Sequence, residues 1–314
     1  MKELNEKRNP LTSPILLTAL ALLCCALWGS ATPAIKTGYK LLSVSGTPSI
    51  MLFAGIRFTL AGILTVLIYS IARRKFLFPK RENIGRVLTI SAFQTVIQYI
   101  FFYIGLANTL GVKGTIESGS SAFFCILIAS LIFRQENLTV KKIVACILGF
   151  AGIIIVNLNG LDLTMNFFGD GFVIFSTISY AFSSVLMKKF SKHEDPVVIS
   201  GYQFIVGGIF MVIVGLVAGG TVDFSDPMGL LLMGYLALLS AVAYAVWGVL
   251  LKYNPVSRVT IFSFTTPIFG TIFSLIFLAD ETAEVSPINL IATLVLVSAG
   301  ILLLNYQPPK KSAK

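Results

Sequence analysis

Two charged residues stand inside long apolar runs of this sequence. Arg57 follows the letters FAGI, and Glu117 precedes SGSSAFF. A charged side chain at the centre of a membrane helix costs about 2.5–3.5 kcal/mol on insertion scales, so it is expected to face protein or water and to have a function. One interpretation is a structural ion pair of Glu117 with Arg57, or with Lys113 one helical turn away. The other makes Glu117 a carboxylate that binds a substrate ammonium group or takes a coupling proton.

Polar and aromatic side chains recur at helical spacing in other apolar runs. Gln94 and Gln98 are four residues apart, as are Tyr99 and Tyr103, so each pair shares one face of a helix. Rings at mid-depth favour the lining of a cavity, because aromatic belts lie at the membrane interfaces. Further residues that we predict to line the same cavity are Trp28, Thr32, Ser121, Tyr180, Tyr244, Trp247 and Thr265. Together with Glu117, these side chains predict a central site for a small solute.

The composition indicates that membrane-spanning helices position these side chains. Of the 314 residues, 56% are hydrophobic and 12% are charged, and the mean hydropathy is +0.87. Because soluble domains have about 25% charged residues, we predict an all-α polytopic protein whose partner is the lipid bilayer. The net charge of +10 does not indicate a nucleic-acid partner, since the basic residues are spread over short loops between apolar runs.

Ten apolar runs have about the length of 20 residues that a bilayer-spanning helix needs. The predicted spans are residues 14–37, 48–72, 84–108, 111–133, 140–158, 170–189, 197–218, 228–251, 257–279 and 287–305. With the N-terminus inside, all but four of the 24 Lys and Arg residues fall on the inner side, the exceptions being Lys36, Lys40, Arg57 and Lys113. Since cytoplasmic loops are enriched in Lys and Arg, we predict a multi-pass protein of the cell (plasma) membrane with both termini in the cytoplasm.

The two halves of the sequence are similar to each other. The segment SLIFRQE at 130–136 recurs as SLIFLAD at 274–280. Each half contains five predicted spans, an odd number, so the second half enters the membrane from the opposite side. We therefore predict two inverted five-helix repeats, residues 1–160 and 161–314. Inverted repeats give a transporter two nearly equivalent conformations that open to opposite faces.

Four residues near helix ends or bends are candidates for gates. Lys36 and its repeat counterpart Lys188 lie near opposite faces of the membrane, where they suit either alternating gates or side chains that extend to the interface. Pro33 and Pro267 interrupt apolar runs, and each is either a hinge or a tolerated kink. The role of Ser121 is open in the same way, because small residues also allow helices to pack closely.

Four segments resemble the two EamA-type repeats of the drug/metabolite transporter superfamily. They are WGSATPAIK, FAGIRFTLAG, SLIFRQENLTVKKIVACILGFAGIIIVN and TTPIFGTIFSLIFLADE. The resemblance covers nearly the whole chain and implies ten transmembrane helices in two inverted repeats, with helices 1, 3, 4, 6, 8 and 9 around a central cavity. It also implies secondary transport of small metabolites, often the export of amino acids. The family has a proline in helices 4 and 9, whereas this sequence has Phe123 at the first of these positions.

We predict a secondary active transporter that exports small metabolites, amino acids or related compounds, by alternating access. The alternative is a channel or facilitator for small solutes, although rings of like charge and a continuous polar pore are not evident. An intramembrane enzyme is the least favoured class, because the single histidine, His193, falls in the loop KKFSKHEDP. The four cysteines lack metal-ligand spacing, and the phosphate-binding pattern GxxxxGK[ST] does not occur. We predict no enzymatic activity, metal or cofactor, and leave proton coupling open.

Overall fold

A computed structural model describes residues 10–109, 114, 117–156, 158, 166–277 and 286–306. Lys113, the alternative partner of Glu117, lies outside the described residues, as do parts of the predicted spans 111–133, 140–158 and 257–279. In the described part of the chain every regular element is a helix, and no β-strand occurs. This confirms the predicted all-α class.

The described residues form ten helical segments, numbered here in chain order. They are α1 (Pro14–Leu41), α2 (Gly46–Ala72), α3 (Arg81–Ala107), α4 (Glu117–Ile132), α5 (Val140–Val156), α6 (Phe167–Phe190), α7 (Pro196–Val217), α8 (Pro227–Tyr253), α9 (Val256–Phe277) and α10 (Pro287–Asn305). Eight of them are long and apolar enough to cross a membrane, whereas α4 and α5 are shorter. The protein is therefore a multi-pass membrane protein, and the full count of ten spans stays a prediction.

Helices α2 and α7 pack through glycines. A Cβ atom added to Gly62 of α2 would lie 2.5 Å from the carbonyl oxygen of Gly201 in α7, and one added to Gly55 would lie 2.6 Å from the backbone nitrogen of Val212. Lipid tails are as apolar as leucine, so helices associate in a membrane mainly through such close contacts between small residues. The seven-residue spacing of Gly55 and Gly62 places both on one face of α2.

The contacts between helices are similar when the two halves of the chain are exchanged, so that a contact of one helix pair recurs in the corresponding pair. In the first half, α1 packs against α8 and α9; in the second half, α6 packs against the corresponding helices α3 and α4. The remaining helices pair with their own counterparts, α2 with α7 and α5 with α10. All ten helices therefore make contacts between the halves, and the site described below lies mainly between α1, α2, α3 and α8.

Three helices change their hydrogen-bond pattern along their length, in the interior of α3 and α9 and at the C-terminal end of α4. The turns are π-helical from Ser91 to Ile97 in α3 and from Ile128 to Ile132 in α4, and 3₁₀-helical from Ile261 to Thr265 in α9. Such turns occur frequently at functional sites and hinges. By contrast, α1 continues as an α-helix through Pro33.

Candidate solute-binding site

Helices α1 and α8 bring together aromatic rings from the two halves of the chain. Trp28 contacts Trp247 with the ring centroids 4.9 Å apart, and it contacts Tyr244 with the centroids 5.2 Å apart. Both pairs are edge to face, an arrangement that the charge distribution of aromatic rings favours. Tyr244 and Trp247 reach the same ring because residues three apart lie on one face of a helix.

Tyr99 continues this group of rings into α3 and α2. Its hydroxyl oxygen lies 3.0 Å from that of Tyr244. Its ring centroid lies 5.7 Å from that of Tyr103 and 4.5 Å from that of Phe58. We call this group the aromatic cluster; its members are Trp28, Phe58, Tyr99, Tyr103, Tyr244 and Trp247. All but Phe58 were predicted from the sequence to line one site.

The aromatic cluster is closed in this conformation. The side chains of Trp247, Tyr244 and Tyr103 are 1%, 7% and 8% exposed. Tyr180 of α6 packs against the same hydrophobic core as Trp28 and Trp247. In this conformation the rings from the two halves are in contact with one another.

Several polar atoms in the aromatic cluster, or on neighbouring turns of α2 and α3, are buried without a hydrogen-bond partner. In the part of the chain that the structure describes, they include Trp28 Nε1, Trp247 Nε1, Gln94 Oε1, Gln98 Oε1, Arg57 Nε and Arg57 Nη1. Unpaired buried polar groups are rare in proteins, because each costs about 1–3 kcal/mol. Other unpartnered polar atoms of the described residues lie elsewhere in the bundle, and those in and beside the aromatic cluster are the ones next to its rings.

Arg57 is buried at the α2 side of the aromatic cluster. Its Cζ atom lies 4.4 Å from the centroid of the Phe58 ring, and its side chain is 5% exposed. The Phe58 ring in turn lies 4.5 Å from the Tyr99 ring, centroid to centroid. The guanidinium group therefore lies next to the aromatic cluster.

The ion pair between Arg57 and Glu117 is not formed. The ion pairs between described residues are Arg73–Asp195 and Lys142–Glu136. The helices that carry the two side chains have different neighbours: α2 packs against α3, α7 and α8, whereas α4 packs against α6 and α9. The proposed role of Glu117 in binding or coupling stays a prediction.

Three further predicted residues lie around α9 and outside the aromatic cluster. Ser121 Oγ lies 3.4 Å from Ser263 Oγ and so joins α4 to α9. The Thr265 hydroxyl donates to the carbonyl oxygen of Phe262 in its own helix, at 2.7 Å. Thr32 is exposed on α1, with its Oγ1 near Gly270 of α9. These hydroxyls contribute to the contact of α9 with α1 and α4.

The predicted gate residues have different surroundings. Lys188 Nζ donates to the carbonyl oxygens of Leu251, at 3.0 Å, and Asn254. A cation is favourable there because the last carbonyls of a helix are negative and lack intrahelical donors. Lys36, its counterpart, is exposed on α1. Pro267 is the second residue of the α-helical part of α9, a position that tolerates the missing N–H group of proline.

Glu136 is a functional candidate that the sequence did not reveal. It lies between α4 and α5, outside the membrane-spanning segments, and accepts hydrogen bonds from Lys142 Nζ (2.7 Å), from the backbone N–H of Ser257 (3.1 Å) and from the Ser257 hydroxyl. Burial raises the pKa of Glu136, but the hydrogen bonds from Lys142 and Ser257 outweigh burial, so the pKa is lowered. The contact joins the first half of the chain to the start of α9 in the second.

A cavity of about 500 Å³ lies beside this contact, with Lys142, Lys188 and Arg258 among its lining residues. We call this end of the bundle the basic end. In the described part of the chain, no three His, Cys, Asp or Glu side chains are placed to hold one metal ion. The geometry therefore offers a closed aromatic site between the halves and a separate polar contact at the basic end.

Comparison with known proteins identifies similar chains. A model of the EamA-like transporter family matches residues 16–158 and again residues 167–306. The uncharacterized transporter YvbV of Bacillus subtilis (strain 168) is 25% identical over 314 residues, covering 98% of this chain and 96% of that protein. A chloroplastic WAT1-related protein of Arabidopsis thaliana is 24% identical, covering 86% of this chain and 66% of that protein. A solved crystal structure at 13% identity has a TM-score of 0.74 over 93% of this chain and 97% of that chain, which shows a common fold.

Proposed function

Since this chain belongs to the EamA-like transporter family, we propose that it is a secondary active transporter that moves small metabolites by alternating access around the aromatic cluster. The single observation that carries this proposal is the group of buried, unpartnered polar atoms of Trp28, Trp247, Gln94 and Arg57 in and beside a closed set of rings. Ligand sites combine apolar and aromatic walls with a few convergent polar groups. The amino-acid class of substrate and the export direction rest on the family resemblance.

The exchange pattern of helix contacts supports two inverted five-helix repeats, residues 1–160 and 161–314. Under this proposal α1 corresponds to α6, and the α2–α7 and α5–α10 pairs lie about a pseudo-two-fold axis in the membrane plane. The basic end is the cytoplasmic end, and both termini are cytoplasmic in the plasma membrane. Arg73, Lys142 and Lys188 belong to the loops and helix ends there, as the excess of Lys and Arg in cytoplasmic loops requires.

The closed aromatic cluster favours a carrier over a channel. A channel conducts through a continuous path, whereas Trp28 and Trp247 meet across the two halves. In our proposal the halves rock against each other, which separates these rings towards one face at a time. The contact of Glu136 with Ser257 closes the basic end in the present conformation and breaks when that end opens.

Proton coupling through Glu117 is part of the proposal. A carboxylate that titrates during transport would make the transport rate depend on pH. Glu117→Gln keeps the shape of the side chain and removes the titrating charge, so coupled transport is expected to fall and its pH dependence to flatten. A variant with an unchanged pH profile would assign Glu117 a structural role.

Counterflow in liposomes tests the proposed function. Purified protein is reconstituted into liposomes loaded with unlabelled amino acids, and uptake of each labelled amino acid is followed. A carrier gives saturable uptake that the internal solute stimulates, with protein-free liposomes as the control. Uptake that rises linearly with concentration, without stimulation from the opposite side, would identify a channel.

A further inference from the structure

We infer that Arg57 binds the carboxylate group of the transported solute. This inference rests on the proposed function, because it names the chemical group that the same site recognises. It assigns to Arg57 a role in the substrate site in place of an ion pair within the protein.

The electrostatic environment of the Arg57 side chain supports this inference. It is 5% exposed, and its Nε and Nη1 atoms are buried without hydrogen-bond acceptors. No carboxylate among the described residues forms an ion pair with it. A buried charge is tolerated when it is paired and hydrogen-bonded, and it is costly otherwise. Among the described residues, Arg57 therefore has no counter-ion.

The Phe58 ring offsets part of this cost. A cation over an aromatic face is attracted by the ring, and the Arg57 Cζ atom lies 4.4 Å from the ring centroid. Burying a donor without an acceptor is more costly than such a contact is favourable, and Arg57 has unpaired donors on two nitrogens. The cation–π contact alone is thus too weak, and an anion from outside the protein is the missing partner.

The surroundings of Arg57 select a monovalent anion with an apolar part. The guanidinium group donates in a planar fork that matches a carboxylate. Lys36 is exposed on α1, so Arg57 supplies a single buried positive charge to the site, which suits a carboxylate better than a doubly charged phosphate ester. The Tyr99 ring contacts Phe58, and its hydroxyl lies 3.0 Å from that of Tyr244. The rings of the aromatic cluster provide apolar surface for the rest of the solute.

The test compares ligands that differ in the carboxylate alone. The full-length protein in lipid nanodiscs is titrated with L-phenylalanine, L-leucine and L-serine and with the carboxamide of each, which keeps the ammonium group and the side chain. Hydrogen bonds to a charged group contribute about 1.5–3 kcal/mol, so at least one acid is expected to bind at least about tenfold more tightly than its amide. Arg57→Gln should reduce this ratio to near one.

Two further variants test whether the preference for the acid depends on the charge of Arg57 alone or also on its planar guanidinium group, and whether loss of any arginine has the same effect. Arg57→Lys keeps the charge but lacks the planar fork, so its acid-to-amide ratio should fall between those of the wild type and Arg57→Gln. Arg81→Gln makes the same change at an exposed arginine and should leave the ratio unchanged. The inference is overturned if no acid binds better than its amide, or if the preference survives in Arg57→Gln.

Counterflow of the same probes distinguishes this inference from the proposed function. If an amide is exchanged by saturable counterflow while no acid is preferred, the carrier function stands and the role of Arg57 fails alone. If none of the probes shows counterflow and none of the acids binds better than its amide, the amino-acid part of the proposed function fails as well.

Discussion

The indole ring of Trp28 meets that of Trp247 edge to face, with the ring centroids 4.9 Å apart. One ring belongs to α1 in the first half of the chain and the other to α8 in the second. Any movement of one half against the other must change this contact, because both helices pack across the halves. A change in this contact would therefore report such a movement.

Removing either indole should weaken solute binding. We expect Trp28→Ala and Trp247→Ala each to cost about 1–3 kcal/mol of binding free energy if the rings contact the solute, since buried aromatic rings dominate such sites. The measurement is the half-saturation concentration in counterflow. Phe76→Ala removes an exposed ring and serves as the control. Unchanged affinity in folded Trp28→Ala and Trp247→Ala proteins would assign both rings to helix packing.

The glycines between α2 and α7 should be sensitive to added volume. Gly55→Ala places a Cβ atom 2.6 Å from the backbone nitrogen of Val212, and overpacking of this kind costs about 1–3 kcal/mol. We expect a lower apparent melting temperature in detergent. Gly234→Ala in α8 meets nothing within 4 Å, so it should melt at the same or a slightly higher temperature. Equal melting of the two variants would contradict the described contact of α2 with α7.

The carboxylate of Glu136 should make stability depend on pH. Its pKa is lowered from the ordinary value of 4.5, so its stabilising effect is present above that value and is lost as the pH falls through the lowered pKa. Glu136→Gln should therefore melt at a lower temperature than the wild type at pH 7, and the difference should shrink below about pH 4.5. Glu82→Gln, at an exposed position, is the control. A difference that is constant from pH 3 to pH 7 would contradict the charged contact with Lys142.

Two exposed positions test the orientation in the membrane. Lys80 and Asp223 lie in loops at opposite ends of the bundle, and the four native cysteines are buried. In a background without these cysteines, a single cysteine at position 80 should react with an impermeant thiol reagent from the cytoplasmic side, and one at position 223 from the other side. Labelling of both from the same side would contradict the predicted topology.

Most of the aromatic site could be predicted from spacing along single helices. Tyr99 with Tyr103, and Tyr244 with Trp247, share faces because of helical periodicity, and the apolar runs show which helices are buried. Phe58 could not be distinguished from other core phenylalanines, because its role depends on the neighbouring helix. The sequence could not decide whether Glu117 pairs with Arg57, because two charges within apolar runs do not show the direction in which their helices face.

The contacts at the basic end were beyond sequence reasoning for a different reason. Glu136 and Ser257 lie in different halves, 121 positions apart, and their contact depends on how α4 and α9 meet. The π-helical turn from Ser91 to Ile97 likewise has no simple sequence pattern, since it reflects how α3 fits between its neighbours. Local periodicity predicts which side chains share a face, and tertiary packing decides which faces meet.

The most direct test of the central claim uses the fluorescence of the tryptophans. The chain has two tryptophans, Trp28 and Trp247, and both belong to the aromatic cluster. Titration with a solute that undergoes counterflow should change their emission saturably, with a midpoint equal to the half-saturation concentration of transport. Trp28→Phe and Trp247→Phe each leave a single indole and should retain part of the change. Saturable counterflow without any change of emission in the wild type or in either variant would contradict binding of the solute between these rings.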